Sequence, residues 1–140
     1  MSRIFWDTNL FIYLLEDSGE LGARVSRLRL SMLARGDQLL TSALTVGEVL
    51  VKPIERGELE RARKLEEAIT MAAQILPFDL KAARVFAQVR CDRSIRAPDA
   101  VQLACAGAVG ADLFVTNDER LHGKRVEGIH FITSLERVPL

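Results

Sequence analysis

The sequence predicts an α/β fold: a mostly parallel central sheet of about four or five strands, flanked by helices as an α/β/α sandwich. Three observations lead there. Short apolar, β-like runs alternate along the chain with segments whose apolar residues recur at helical spacing. The 140 residues, 49% of them hydrophobic, supply one real core. No repeat, low-complexity tract or linker-like shift in composition divides residues 1–140, so they read as a single domain.

The elements follow in order. Ile4–Trp6 is a strand candidate, and the apolar run Leu10–Leu15 continues as a helix to about Glu16. Leu21, Val25, Leu28, Met32 and Leu33 keep a 3.6-residue period that Gly36 stops. Leu39–Ser42 is the second strand, followed by a helix over Leu44–Val51 that Pro53 ends. Gly57 opens an amphipathic segment with Leu59, Ala62, Leu65, Ile69 and Ala72 on one stripe. Ile75–Phe78 is a short strand, and Asp79 is placed to N-cap the helix carrying Leu80, Ala83, Phe86 and Ala87. Pro98 starts a small-residue helix, DAVQLACAGAVG. Leu113–Val115 and Ile129–Ile132 are the last two strands. Right-handed crossovers would set every strand's C-terminal end on one edge of the sheet.

Composition excludes several classes. With 19 basic against 19 acidic residues the chain carries no net charge, so any nucleic-acid contact has to be local. Cys91 and Cys105, the only cysteines, form no CxxC or zinc pattern and read as buried or helical thiols of a reducing compartment. No secretory signal or membrane-length apolar run occurs, and a cytoplasmic protein is expected. His122 and His130 sit in no metal or triad pattern, and GxSxG, GxxxxGK and HExxH are absent. Trp6 and Phe5 read as core, Met32 and Met71 as fillers of helix packing gaps.

What the core does not explain is its acids. Asp7 directly follows the first strand, in RIFWDTNLF, where burial penalises an unpaired carboxylate. Glu48 lies in SALTVGEVL, flanked by Val46, Val49 and Leu50; Asp99 stands in the first turn of an almost uncharged helix; Asp118 follows Leu113–Val115 in LFVTNDERL. Each has a bland alternative: Asp7 as a helix cap, Asp118 as a turn residue, Asp99 as a partner of the helix dipole, Glu48 on a wet face. Open α/β sheets, however, bind ligands at the carboxyl ends of their strands. Taken together, the four fit a site for a divalent cation.

The set WDTN, TVGEVL, PDAVQLACA and FVTND, in that order, resembles a PIN-domain ribonuclease and is especially similar to the compact VapC-type toxins of toxin–antitoxin pairs. The resemblance runs from about Ile4 to Ile132. It implies a single PIN-like domain whose catalytic and metal-binding acids are Asp7, Glu48, Asp99 and Asp118. Thr116 matches a hydroxyl residue that assists the last acid, and Asn9 a polar position near the first; Thr8 and Asn117 read as shapers of their turns. It further implies a Mg²⁺- or Mn²⁺-dependent endoribonuclease that leaves a 5′-phosphate and a 3′-hydroxyl, a homodimer, and a small antitoxin that silences it.

Oxygen-only donors agree with a hard cation, which at a phosphodiester would activate water and neutralise charge on the scissile phosphate. RNA must still be held beside an acidic site. Arg90, Arg93 and Arg96, in VRCDRSIRAPD, are placed for flanking phosphates, or are a solvated loop. Arg24, Arg27, Arg29 and Arg35 read as the wet face of a helix. Two other functions stay open: a housekeeping RNA-processing nuclease, and a non-catalytic binding module of the same fold. A flavodoxin-like phosphoacceptor domain would need a well placed lysine, and none stands out.

Overall fold

A computed structural model describes residues 1–16 and 19–139. Strand β1 (Arg3–Trp6) alternates its side chains between two buried faces, Ile4 and Trp6 on one and Phe5 on the other. Asp7 caps α1 (Thr8–Leu15), and α2 (Glu20–Arg35) ends at Gly36, whose φ of 73° is the left-handed cap that glycine adopts without strain. Then come β2 (Gln38–Ser42), α3 (Ala43–Glu55), α4 (Leu59–Ala72), β3 (Gln74–Leu76), α5 (Leu80–Val89), α6 (Ala97–Ala108), β4 (Leu113–Val115), a 3₁₀ turn (Glu119–Leu121) and β5 (Phe131–Thr133).

The strands form one sheet in the order β3-β2-β1-β4-β5, every pairing parallel. Ile4 pairs with Leu39 and Leu113, Phe5 with Leu40 and Phe114. Helices α1 to α4 cover the face carrying Ile4, Trp6 and Leu39; α5 and α6 cover the face carrying Phe5, Leu40 and Phe114. The Phe5 and Phe114 rings stack 5.0 Å apart across neighbouring strands. Because the chain builds outward from β1 through β2 and β3, then returns to the other side of β1 to lay down β4 and β5, the order reverses at β1 and β4. A crevice opens beyond the carboxyl ends of the strands at such a point.

Several expectations need correction. Pro53 does not end its helix: α3 runs to Glu55, because only one ladder bond is lost near the last turn and the proline ring is itself buried. The last strand begins at Phe131, two residues later than expected, and β3 stops before Pro77, which lacks an amide to continue the ladder. Leu33, Leu59, Leu80 and Met71 point outward, so their helices bury narrower stripes: Val25, Leu28 and Met32 in α2, then Ala62, Leu65 and Ile69 in α4. Cys91 is exposed and Cys105 buried, where burial pushes its thiol up to about 11. Among the described residues no helix is long and apolar enough to cross a membrane.

Candidate metal and nuclease site

The carboxyl edge of the sheet at β1 begins with Asp7. Its main chain continues the sheet, the amide donating to the Val115 carbonyl at 3.0 Å, and its side chain turns to cap α1. One carboxylate oxygen accepts from the Thr8 amide at 2.9 Å, the other from the Thr116 hydroxyl at 2.7 Å. Only 7% of Asp7 is exposed. Burial raises its pKa to about 6; the bonds from Thr116 and Thr8 pull it down, while the negative charges of Asp99 and Glu48 push it up further.

Glu48 projects from α3 at the exposed rim, where the Thr8 hydroxyl donates to its Oε1 at 2.7 Å. The helix that carries Glu48 is wet on that side, contrary to what its apolar neighbours suggested: Gly47 and Val51 are exposed with it. Asp99 lies in the first turn of α6, within 3.5 Å of the Arg96 guanidinium. Asp118 follows β4, caps the 3₁₀ turn and forms a two-pronged pair with Arg120 at 2.9 and 2.6 Å. Arg120 and the nearby charge of Arg96 hold its carboxyl below the usual range. The four acids thus stand along one edge of the sheet, linked by mutual fields and shared neighbours. Among the described residues, no three carboxylate, imidazole or thiol groups close to the distances of a single coordination sphere.

A polar network beneath the edge was not legible beforehand. Gln102, three residues after Asp99 on α6 and 2% exposed, donates to the hydroxyls of Thr45 at 2.7 Å and Thr8 at 3.0 Å, and lies 3.4 Å from Asp7. Its carbonyl accepts from Ser42. Thr41 in turn donates to Thr45 at 2.8 Å or to the Trp6 carbonyl at 2.9 Å. Thr8 is therefore more than a turn residue: its hydroxyl joins Glu48 to this buried network. The available signal was a glutamine inside the otherwise apolar AVQLACA.

Asn9 reaches Thr116 at 3.4 Å and accepts from the Asn117 amide at 3.4 Å, so it ties α1 to the turn after β4. Of the basic residues, Arg96 reaches the acids, and Arg93 is exposed in the preceding loop. Arg90 does not face the crevice with a free charge; it braces that loop by donating to the Ile95 carbonyl at 2.6 Å. Arg35 pairs with Asp37 at 2.9 Å and Arg29 donates to the Ala72 carbonyl at 3.4 Å, both structural contacts away from the acids. His122 sets its ring against the Thr116 carbonyl at 2.9 Å.

The donors along the edge are oxygens, the set a hard divalent cation takes. Mg²⁺ keeps several waters and needs one or two direct carboxylates, so such an ion would not require all four acids as direct ligands. Asp7, buried and bearing neighbours of its own charge, is the group whose ionised form a cation would favour most.

The model of a family described as "PIN domain" matches residues 4–126. No curated protein matches the chain. Solved structures do. The chain is similar to VapBC2 from Rickettsia felis bound to a DNA fragment from their promoter, with 17% identity over 94% of this chain and 98% of that one and a TM-score of 0.75. DNA-bound VapBC from Salmonella typhimurium shares 21% identity, with 96% and 99% covered and a TM-score of 0.74. The toxin–antitoxin complex VapBC-5 from Mycobacterium tuberculosis shares 19%, with 95% and 99% covered and a TM-score of 0.63.

Proposed function

The chain belongs to the PIN domain family, and from that premise we propose that it is a Mg²⁺- or Mn²⁺-dependent endoribonuclease serving as the toxin of a toxin–antitoxin pair. One observation carries the proposal: the carboxylate of Asp7, buried at the point where the sheet order reverses and raised in pKa by that burial and by Asp99 and Glu48. A fold tolerates such a group at a cost to stability, and a divalent cation offsets that cost.

When bound, the ion supplies an activated water at neutral pH and offsets charge on the scissile phosphate. The protein's share is orientation. Thr116 and the Thr8 amide fix the two oxygens of Asp7, and Thr8 aligns Glu48. Asp99 and Asp118 extend the acidic edge, each with an arginine beside it. Arg93 and Arg96 are the groups to receive phosphates flanking the cut, and Asn9 keeps the turn carrying Asp118 in register.

A small cognate antitoxin, a homodimer and a cytoplasmic setting complete the proposal; the similarity to VapBC complexes supports the first. A panel of structured RNAs, incubated with purified protein in Mg²⁺, Mn²⁺ or EDTA and mapped at the cut ends, tests the chemistry. Cleavage that needs the metal and vanishes in Asp7→Asn and Asp99→Ala is the expected result. Equal cutting by those variants, or in EDTA, overturns it. Growth arrest on expression, relieved by the product of an adjacent gene, separates a toxin from a housekeeping nuclease.

A further inference from the structure

The acidic edge divides into two pairs by the partners each acid keeps. Among the described residues, Asp7 and Glu48 receive only neutral donors: Thr8, Thr116 and Gln102. Asp118 and Asp99 each face a guanidinium. Of these two contacts the one at Asp118 is far closer. Arg120 Nε lies 2.9 Å from Oδ1 and Nη2 lies 2.6 Å from Oδ2, the forked geometry in which arginine holds a carboxylate best. The Arg120 amide donates to Oδ1 as well, at 3.1 Å, so both oxygens of Asp118 are engaged by one residue. The field of the same guanidinium extends to Asp99.

We propose that Arg120 is a displaceable counter-cation, holding Asp118 while no divalent ion is present and having to release it before Asp118 can ligate one. The inference rests on the metal-dependent reading above and names a residue that tunes it. Two features fit a contact made to be broken. The Arg120 side chain is 58% exposed, and exposed ion pairs contribute only about 0.2–1 kcal/mol. The pair also spans just two residues, within the short turn after β4, so releasing it needs no rearrangement of the sheet. An arriving cation meets repulsion from a positive charge already on its ligand, and its affinity is reduced accordingly.

The sign of the effect separates this role from a structural one. If Arg120 only kept Asp118 in place, removing it would weaken metal binding; as a competitor, its removal tightens binding. Mn²⁺ alone is titrated calorimetrically into the wild type, Arg120→Ala and Arg125→Ala. The last removes an exposed arginine that lines a separate cavity beside Asp92 and Lys124. Arg120→Ala is expected to bind Mn²⁺ roughly two- to fivefold more tightly than wild type, and Arg125→Ala to match wild type. Unchanged or weaker binding by Arg120→Ala, or equal tightening in both variants, overturns the proposal, and thermal melts confirm that each variant is folded. A wild type that neither binds Mn²⁺ nor cuts RNA removes the nuclease reading and this inference with it. A wild type that does both, beside an Arg120→Ala protein that binds no tighter, removes this inference alone.

Discussion

At the scale of single residues, Asp7 sets stability against function. Its pKa of about 6 in the folded chain, against 3.8 for the free side chain, means that the fold binds a proton here more readily than the unfolded chain does. That contribution to stability is complete below about 3.8 and is lost as pH rises through about 6. Above pH 7 the ionised group costs the metal-free protein about 3 kcal/mol, from about 1.36 kcal/mol for each pH unit that separates the two values. Asp7→Asn carries no such charge. In EDTA it should melt above wild type at pH 8, and the gap should narrow as pH falls through about 6 towards 3.8; a gap independent of pH would disprove the assignment. The reason Asp7 was legible in the sequence is the same: an acid between a strand and an apolar helix has few harmless explanations. Gln102 and Arg120 were not, because an uncharged amide and an exposed arginine carry no such penalty. Only the crossing of α6 beneath the edge, and the turn after β4, give them partners.

Among the elements, α6 makes the closest approach. Its Gly107 lies against the loop at Glu127 and Gly128, so that an added Cβ would come within 2.7 Å of the Glu127 carbonyl. Gly128 has φ of 90° and its own Cβ would meet the Gly107 carbonyl. An added Cβ at either position must push the loop away or shift α6, the helix that carries Asp99 and Gln102. Gly107→Ala should therefore cost about 1–3 kcal/mol in denaturant unfolding. A neutral result would show that the loop gives way. The strands and helices themselves were largely readable, since period and caps are local: Asp79 does cap α5, its carboxylate accepting from the Ala82 amide at 2.9 Å. Which apolar residues face inward was less so. Leu59 and Leu80 begin their helices, where the first turn hangs past the edge of the core, and periodicity does not report where a neighbouring layer ends.

For the molecule as a whole, the strand order decides where chemistry can occur. The reversal at β1 and β4 brings the tails of those strands, Asp7 and the run Thr116 to Asp118, to one edge of the sheet, and the fields of Glu48 on α3 and Asp99 on α6 reach Asp7 there. Alternating strands and helices foretold parallel pairing; they did not foretell which strands would be neighbours, because that follows from which face each crossover covers. Zero net charge adds a second global property. With no general positive field, RNA should be held by few contacts, and affinity should fall only shallowly with salt. Removing Arg93 and Arg96 together should weaken RNA binding and flatten the log–log salt dependence by up to about 1.4, two single-strand phosphate contacts' worth. An unchanged slope in a filter-binding series would acquit both.

The pairing of β1 with β4 has a bearing on synthesis as well. Ribosomes deliver Asp7 more than a hundred residues before Asp118, and β1 has no neighbour on that side until β4 slots in beside it. A nascent chain halted anywhere before that point carries separated acids and no assembled cleft. The acids can be gathered on one edge only once the chain has been made through β4 and Asp118.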